Sequence, residues 1–369
     1  MNLWGDRVGY SKYKYEGLLN LCLEVFKRLG YTKEDSYTIG EVLLLADLFG
    51  IESHGVQRLT LYYKGIRNGS IKVKNHMNIV KESPVSVVID GDGGMGQIIS
   101  KKAMERAIDK AKKTGIGMAI VKNSNHFGIA GYYSRMAERK GLMGIAMTNT
   151  RAIVLPTYGR EQMLGTNPIS IAMPARPIPF LLDMATSVIT RGKVEVYSKN
   201  NQKLNYGWAM DDEGRKTDNP DEVLKLANGN TGGLLPLGGD TEIFGGHKGY
   251  GISFAVEMFT SILSGGLTSD EIRGNNNTNG VCHAFAAIDY GLFDDKNAIE
   301  KRMSAYMQKI RNSKKAYGAS RIYTHGEKEL EAYEDRMENG IPINENTIVE
   351  IKEICDYVDI DINNYLKKY

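Results

Sequence analysis

Residues 46 to 59, ADLFGIESHGVQRL, interrupt an apolar helical pattern with two glycine-containing breaks. A helix is predicted from 36 to 46, and its periodicity resumes after the second break. Because a spacing of four places side chains on one helix face, His54, Arg58 and Tyr62 are predicted to share a side. An imidazole, a guanidinium and a phenol can together move a proton and hold a carboxylate, which suits a small 2-oxo or 2-hydroxy acid. A capped surface helix with scattered polar groups is the alternative, and these residues alone do not decide between the two.

The composition is that of an ordinary globular protein. Of 369 residues, 42% are hydrophobic and 25% are charged. This length favours two or three structural units, because single cores rarely grow so large. The 47 basic and 44 acidic residues leave a net charge of +3, too weak a field to gather nucleic acid. The sequence therefore argues against a polyanionic partner.

Cysteine usage indicates a reducing compartment. Cys22, Cys282 and Cys355 are an odd, widely spaced trio without the close pairs of disulfide frameworks or zinc sites. The N-terminal segment has no apolar core of signal-peptide length, and no stretch approaches about 18 uninterrupted apolar residues. We therefore expect a cytoplasmic protein with no membrane span and no metal.

Glycine is enriched, at 41 residues, and the excess is clustered. The clusters lie at 91–96, 128–131, 159–165 and 232–251, beside side chains that can react or form hydrogen bonds. Close approach of the backbone to a ligand would explain this clustering, and tight turns between strands are the alternative.

The remaining pattern predicts helices and short strands without regular strand-helix repeats. The further helices are predicted at 13–28, 100–115, 129–141, 251–266, 296–313 and 344–360, with the helix before the first break starting near 32–35. The strands are predicted as two short ones within 77–90 and as segments at 118–121, 144–150 and 281–293, with further sheet segments at 169–174, 180–187 and 188–197. A hairpin and a short helix are expected at 207–223, and a flexible insertion at 275–280. A doubly wound sheet does not emerge.

Two loops carry further candidate side chains. His126 follows the buried strand 118–121 in a polar run, where α/β enzymes often place catalytic groups, although a lone loop histidine is more often structural. In GTNP, Thr166 and Asn167 can line a polar pocket, or the loop can simply be bent by its glycine and proline. Asp183 follows an apolar run, so its carboxylate should need a buried partner, and an imidazole would serve.

The segment GGHKGYG predicts a phosphate contact. His247 and Lys248 stand between glycines at the entrance of a predicted helix, where free amides and the helix dipole favour anions. The spacing is not that of a Walker loop. The glycine-rich GDGGMGQ at 91–97 lacks the Rossmann fingerprint and is a weak phosphate signal.

Seven motifs occur in an order and at spacings that resemble the type 2 malate/L-lactate dehydrogenase family. They are ADLFGIESHGVQRL, NSNHFGIAGYY, GTNPISIAMP, LLDMATS, GWAMDDEG, GGHKGYG, and HGEKE followed by GIPI. Any one could occur by chance, but the set is highly specific, and the likeness runs nearly end to end. Within the family, the chain is most similar to the malate dehydrogenases of archaea and related bacteria.

The resemblance implies an α/β (α+β type), non-Rossmann fold with a largely antiparallel cofactor-binding sheet and helical N- and C-terminal parts. It implies NAD or NADP as cofactor, a small 2-oxo or 2-hydroxy acid bound between two domains, and a homodimer whose partner helps enclose the site. We predict three parts: a helical substrate-side segment at 1–76, an α/β domain at 77–122 and 281–369, and the nicotinamide domain at 123–280.

The resemblance also assigns roles by motif. His54 would exchange the proton with support from Ser53 and Asp183, while His126 holds the position that some members assign to the catalytic base. Arg58 and Tyr62 would hold the substrate carboxylate. The residues expected to contact the cofactor are Thr150, Asp183, Met184, Ala185, Thr186, Ser187, His247, Lys248, His325, Gly326 and Glu327. His325 stands where many relatives carry proline.

The implied reaction is a hydride transfer between C2 of a 2-hydroxy acid, malate foremost, and the nicotinamide, while an imidazole takes the hydroxyl proton. Two alternatives remain open. One is a ureidoglycolate, sulfolactate or cyclic imine oxidoreductase of the same family, and the other is a relative that binds ligands without catalysis.

Overall fold

The computed structural model describes residues 9–226, 229–272 and 280–367. Its strands, in chain order, are β1 (Tyr10–Tyr13), β2 (Asn78–Glu82), β3 (Ser86–Asp90), β4 (Ile116–Ser124), β5 (Met143–Thr148), β6 (Ile169–Met173), β7 (Phe180–Met184), β8 (Ala209–Met210), β9 (Lys216–Thr217), β10 (Gly233–Leu234), β11 (Val281–Ile288) and β12 (Ile341–Asn344). Its helices are α1 (Tyr15–Arg28), α2 (Lys33–Leu48), α3 (Leu59–Arg67), α4 (Gly96–Thr114), α5 (Ala130–Glu138), α6 (Arg191–Lys199), α7 (Pro220–Leu226), α8 (Gly246–Glu257), α9 (Lys296–Arg311), α10 (Glu327–Asn339) and α11 (Glu345–Tyr357).

Two compact units divide the chain. The first comprises Met1–Gly69, Pro174–Phe180 and Asp294–Tyr369, and the second comprises Ser70–Met173 and Leu181–Phe293. The boundaries of these two units differ from the three-part division predicted above. The reason is that β11 pairs with both β4 and β5, which the prediction assigns to different parts. The three-part division therefore stays a prediction about which segments carry which role.

The first unit is built on α1 and α2. Leu18, Leu21, Cys22 and Phe26 recur at helical spacing on α1 and are buried. Each such side chain stabilises the fold by about 1.5 to 3 kcal/mol. The Thr32 hydroxyl accepts a hydrogen bond from the amide of Asp35, which caps α2 where the sequence predicted. β1 and β12 pair antiparallel in the same unit, a pairing that the sequence pattern did not predict.

The second unit contains a seven-stranded sheet in the order β2-β3-β4-β11-β5-β6-β7. β3 and β4 pair in parallel, whereas β2-β3 and β5-β6 are antiparallel and β11 is antiparallel to both of its neighbours. Seven of the eight residues of β11 are buried, as expected of a central strand. α4 packs against β4, and α5 packs against β5. The predicted largely antiparallel, non-Rossmann sheet is therefore confirmed.

Three predicted elements have a different outcome. Residues 188–197 were expected in the sheet, but Arg191–Lys199 form α6, because the Thr190 hydroxyl caps a helix despite the β-branched residues. The predicted helix 251–266 begins at Gly246 and changes to a π-helical turn at Met258–Ile262. The predicted insertion at 275–280 lies, except for Gly280, outside the described residues. The hairpin β8-β9 and the short helix α7 are confirmed.

Among the described helices, none is long and apolar enough to cross a membrane. Cys22, Cys282 and Cys355 are buried thiols without disulfide bonds.

Candidate functional site

The corner that follows α2 is not a continuous helix. Glu52–His54 form a 3-10 turn, Gly55 is extended with φ −81° and ψ −152°, and a second 3-10 turn precedes α3. The prediction that His54, Arg58 and Tyr62 share one helix face is therefore wrong. The extended residue between the two turns changes the direction of the chain after His54.

A buried carboxylate fixes this corner. Asp47 is 2% exposed, and its Oδ2 accepts a hydrogen bond of 2.8 Å from the amide of Val56. A Cβ on Gly55 would lie 1.7 Å from Oδ1 of Asp47, so a side chain at position 55 would displace the carboxylate. Burial raises the pKa of Asp47 to about 7, against the opposing effects of the Val56 amide and the Arg336 charge. Glycine in the motif SHG is thus required by the carboxylate that lies against it.

Arg336 supports the same corner from α10. Its guanidinium, which is 2% exposed, donates a hydrogen bond to the carbonyl oxygen of Asp47 and lies 3.8 Å from a carboxylate oxygen of Glu52. The other carboxylate oxygen of Glu52 accepts a hydrogen bond of 3.1 Å from the hydroxyl of Tyr10. The turn that carries His54 is therefore held by the Arg336 guanidinium from α10 and by the Tyr10 hydroxyl from β1.

His54 carries an imidazole suited to accept a proton. Its Nδ1 lies 2.8 Å from Oγ of Ser53, which fixes the ring in the turn. Desolvation, and then the nearby positive charge of Arg58, lower the pKa of His54 to about 3. The ring is therefore neutral at physiological pH and can act as a general base.

Arg58 and Tyr62 differ in accessibility. The Nε of Arg58 donates a hydrogen bond of 2.6 Å to the carbonyl of Ser53, which ties the guanidinium to the loop of His54. Arg58 is partly exposed, whereas Tyr62 is fully buried on the packed face of α3. The structure brings Ser53, His54 and Arg58 together and places the Tyr62 phenol in the core, so a substrate contact of Tyr62 stays a prediction.

In the second unit, Asp183 lies on β7, and its carboxylate contacts the start of α5. Its Oδ2 accepts a hydrogen bond of 2.7 Å from the amide of Gly131, in the first turn of that helix. A Cβ on Gly131 would come within 2.8 Å of the same oxygen. The buried partner expected for Asp183 includes this backbone amide, and a glycine gives it access.

His126 belongs to a tightly held loop. Its Nδ1 accepts a hydrogen bond of 3.3 Å from the amide of Gly128. The Asn125 side chain donates to the carbonyls of Gly93 and Gly94, each at 2.9 Å, and a Cβ on Gly96 would overlap the carbonyls of 125 and 126. Packing explains Gly96 through this loop and Gly94 through the side chain of Asn75, and Gly93 has a positive φ of 68°, which favours a structural role for the segment GDGGMGQ.

Thr150, Thr166 and Thr186 lie in one hydrogen-bonded group. The amide of Thr166 donates to Oγ1 of Thr150 at 3.1 Å, and both the amide and the hydroxyl of Thr186 donate to the carbonyl of Thr166. Thr150 and Thr166 are partly exposed, as are Met184 and Ala185. Ser187 is buried, and its hydroxyl donates to the carbonyl of Ile189 at 2.6 Å.

His247 and Lys248 are exposed in the first turn of α8, which contains no acidic residue. A Cβ on Gly246 would lie 2.1 Å from the carbonyl oxygen of Gly239, and one on Gly249 would lie 2.1 Å from that of Leu237. These glycines are therefore needed for packing within the protein. An exposed lysine at the positive end of a helix dipole still fits a phosphate group, although the amides of Gly246, Lys248 and Gly249 already donate to backbone carbonyls.

Glu327 has a structural role in the first unit. Its buried carboxylate accepts hydrogen bonds from Arg311 at 2.9 Å, from Arg321 at 2.7 Å, and from the amide and hydroxyl of Thr324. Burial opposes ionisation, but these hydrogen bonds and charges hold the pKa of Glu327 below its usual value. His325 is exposed and Gly326 is buried. Cofactor contacts of all three residues stay predictions, and the carboxylate of Glu327 is already engaged inside the protein.

Sequence reasoning did not single out Asp47, Glu52 or Arg336. Asp47 stands inside the first motif, but the pattern gives no signal that it closes onto Gly55. The bond between Arg336 and Asp47 spans 289 residues, so no local spacing could reveal it.

Comparison with known proteins identifies the family of the chain. The profile of the family described as "Malate/L-lactate dehydrogenase" matches residues 13–352. "Malate dehydrogenase" from Pyrococcus abyssi is 45% identical over 95% of this chain and 96% of its own length. "L-sulfolactate dehydrogenase" from Methanocaldococcus jannaschii is 38% identical over 96% and 99%. The solved structure of malate dehydrogenase from Pyrococcus horikoshii OT3 aligns with a TM-score of 0.89 and 41% identity over 98% and 99%.

Proposed function

The chain belongs to the malate/L-lactate dehydrogenase family, as its motifs predicted, and on that premise we propose that it is an NAD(P)-dependent oxidoreductase. Its substrates are a small 2-hydroxy acid, malate in the first place, and the corresponding 2-oxo acid. The observation that carries the proposal is the neutral imidazole of His54, held beside Arg58 in a corner fixed by Asp47. The malate and sulfolactate dehydrogenases among the relatives support this substrate class.

In the oxidation direction, His54 accepts the proton of the substrate hydroxyl as the hydride leaves C2. Arg58 holds the substrate carboxylate through its guanidinium, while its Nε stays bonded to Ser53. Burial and then the charge of Arg58 lower the pKa of His54, and a bound carboxylate offsets the second of these effects. Substrate binding therefore raises the basicity of His54 where proton transfer needs it.

Residues of the second unit would hold the cofactor. When bound, a nicotinamide dinucleotide supplies the hydride acceptor or donor. Lys248 and His247 bind its phosphates at the exposed first turn of α8, which has no competing carboxylate. Thr150, Thr166 and the segment Asp183 to Ser187 position the rest of the cofactor. His126, next to the α5 entrance that Asp183 caps, is a second candidate acid or base.

We further propose a cytoplasmic homodimer. On α8 and its π-helical extension, Phe254, Met258 and Ile262 follow one another at a spacing of four and are 53%, 48% and 58% exposed. Ile243 and Phe244, just before the helix, are 82% and 87% exposed. A second copy of the chain would cover this stripe, and sedimentation as a monomer would contradict the proposal.

One assay tests the reaction. The purified chain is mixed with NADH or NADPH and with oxaloacetate, pyruvate, sulfopyruvate or pyrroline carboxylate, and the loss of reduced nicotinamide absorbance is followed. We expect turnover with 2-oxo acids and the highest kcat/KM with oxaloacetate. Turnover with the cyclic imine alone would assign an imine reductase. Dinucleotide binding without any turnover would indicate the non-catalytic relative.

A further inference from the structure

A buried carboxylate ends α8 at a place that the proposed reaction does not use. Glu257 is 3% exposed, and the structure records no ion pair for it within residues 9–226, 229–272 and 280–367. A buried charge is costly unless hydrogen bonds satisfy it. The π-helical turn Met258–Ile262 starts immediately after Glu257, and such turns are frequent at functional sites.

Four neutral donors surround this carboxylate. Oε1 accepts from Nδ2 of Asn167 at 3.0 Å and from the hydroxyl of Ser269. Oε2 accepts from the hydroxyl of Ser261 at 2.8 Å and from Nδ2 of Asn149 at 3.4 Å. A carboxylate offers about four acceptor sites, so these donors satisfy it. The carboxylate is therefore hydrogen-bonded by neutral side chains that come from three separate segments of the chain.

Acceptor-only groups orient both amides: Nδ2 of Asn149 donates to Glu257 and, at 2.9 Å, to the carbonyl of Leu267, and Nδ2 of Asn167 donates to Glu257 and to the carbonyl of Ser253. Because each Nδ2 must face Glu257, each Oδ1 must face away from it. Oδ1 of Asn149 then accepts from the amide of Cys282 at 2.7 Å. Oδ1 of Asn167 accepts from the amide of Thr150 at 3.3 Å. The carboxylate thus helps to set the direction of two hydrogen bonds that it does not itself make, those from the amides of Cys282 and Thr150.

The chain of hydrogen bonds continues into the loops that were assigned to the cofactor. Thr150 accepts from the amide of Thr166, and the carbonyl of Thr166 accepts from the amide and hydroxyl of Thr186. Asn167 has φ +36°, and its Nδ2 also donates to the carbonyl of Ser253 on α8. The helix that presents Lys248 at its start therefore holds Asn167 near its end.

We propose that Glu257 is a positioning residue for the dinucleotide: its charge orients Asn149 and Asn167, and through Asn167 it sets the place of Thr150 and Thr166. The inference rests on the proposed function, because it assumes that these threonines contact the cofactor. A glutamine at 257 would present an NH2 group to donors that need an acceptor. One contact would be lost, or Asn167 would turn over and leave the amide of Thr150 without its acceptor.

The test compares Glu257→Gln with the wild type. Titration calorimetry of the substrate-free protein with NADH and with NADPH should show about tenfold weaker binding, a difference of about 1.4 kcal/mol. The KM for the 2-oxo acid, measured at saturating cofactor, should stay within about twofold. Thr260→Val is the matched control, because its buried hydroxyl donates to backbone carbonyls of the same helix. It should leave the Kd of the dinucleotide unchanged.

A double variant tests the route. If Glu257 acts through Thr150, then Glu257→Gln with Thr150→Ala should bind the dinucleotide no more weakly than the weaker single variant. Additive losses would overturn the proposed route. If Glu257→Gln does not fold, Ser269→Ala removes one donor from Oε1 and should raise the Kd about threefold, and an unchanged Kd would overturn the inference.

The controls separate this inference from the proposed function. If the wild-type protein binds neither NADH nor NADPH, both the proposed function and this inference are refuted. A wild-type protein that binds, together with a folded Glu257→Gln variant of equal affinity, removes the positioning role alone. A uniform rise in Kd and KM with lowered thermal stability would assign Glu257 a purely structural role and likewise refute the inference.

Discussion

Replacing Asp47 by asparagine should change how the stability of the protein depends on pH. In the folded chain this carboxyl is buried, and burial raises its pKa from 3.8 to about 7. Between these values the folded state binds a proton that the unfolded state has released. The contribution of Asp47 to the free energy of unfolding therefore falls as pH rises from about 4 to about 7.

The magnitude follows from the two pKa values. At about 1.36 kcal/mol for each pH unit between 3.8 and about 7, an ionised Asp47 destabilises the folded chain by about 4 kcal/mol relative to its protonated form. Asparagine cannot ionise, but its Oδ1 can still accept from the amide of Val56. The bond from Arg336 to the backbone carbonyl is also kept, so the corner of His54 should retain its shape.

Urea unfolding at several pH values measures the difference. The stability of the wild type minus that of Asp47→Asn should fall by about 4 kcal/mol between pH 4 and pH 8. Asp109→Asn, which alters an exposed carboxyl on α4, should show no such trend. A difference that is independent of pH, or that rises with pH, would refute the reasoning. It would mean that Arg336 and the Val56 amide keep Asp47 ionised despite burial.

Four further substitutions test the assigned roles. His54→Ala should lower kcat by about two orders of magnitude, the usual contribution of a general acid or base, and His126→Ala should lower it less; the opposite pattern in steady-state assays would exchange the two roles. Arg58→Lys should raise the KM for the 2-oxo acid about tenfold or more, because lysine cannot form the planar fork; an unchanged KM would place the substrate carboxylate elsewhere. Lys248→Ala should weaken dinucleotide binding in calorimetry by about 1.5 to 3 kcal/mol, and equal affinity at matched thermal stability would leave GGHKGYG a structural segment.

Local signals predicted the sheet class and several of the helices, but they assigned α6 to the sheet and did not predict α10. Helical periodicity placed α1 and α2, and the short β-branched runs around Ser83 predicted β2 and β3. The lack of strand-helix repeats correctly predicted a sheet that is not doubly wound. The residues 188–197 were misassigned because Val188, Ile189 and Thr190 favour strands, while the cap at Thr190 and the packing of the helix decide the structure.

The sequence named residues that the structure brings together, but it predicted their geometry only in part, and their roles stay predictions. The motifs named Ser53, His54 and Arg58, and the structure brings these three together. The spacing of four did not place His54 and Arg58 on one helix face. The Asp47 carboxylate packs against Gly55, and the chain bends there between two 3-10 turns. Whether a carboxylate is buried depends on contacts such as that of Arg336, which lie far apart in sequence and leave no periodic signal.

Because β11 is a central strand, the sheet cannot be completed until late in synthesis on the ribosome. β4 and β5 are complete by Thr148, yet the strand that pairs with both ends at Ile288. At about 5 to 20 residues per second, the two strands wait roughly 7 to 28 s with unpaired edges. The first unit is completed later still, because the backbone carbonyl of Asp47 needs its hydrogen bond from Arg336 and β1 needs its partner strand β12. In nascent chains of this protein, the edges of β4 and β5 that face β11 therefore stay open to aggregation until Ile288 has been synthesised, and β1 lacks its partner until Asn344.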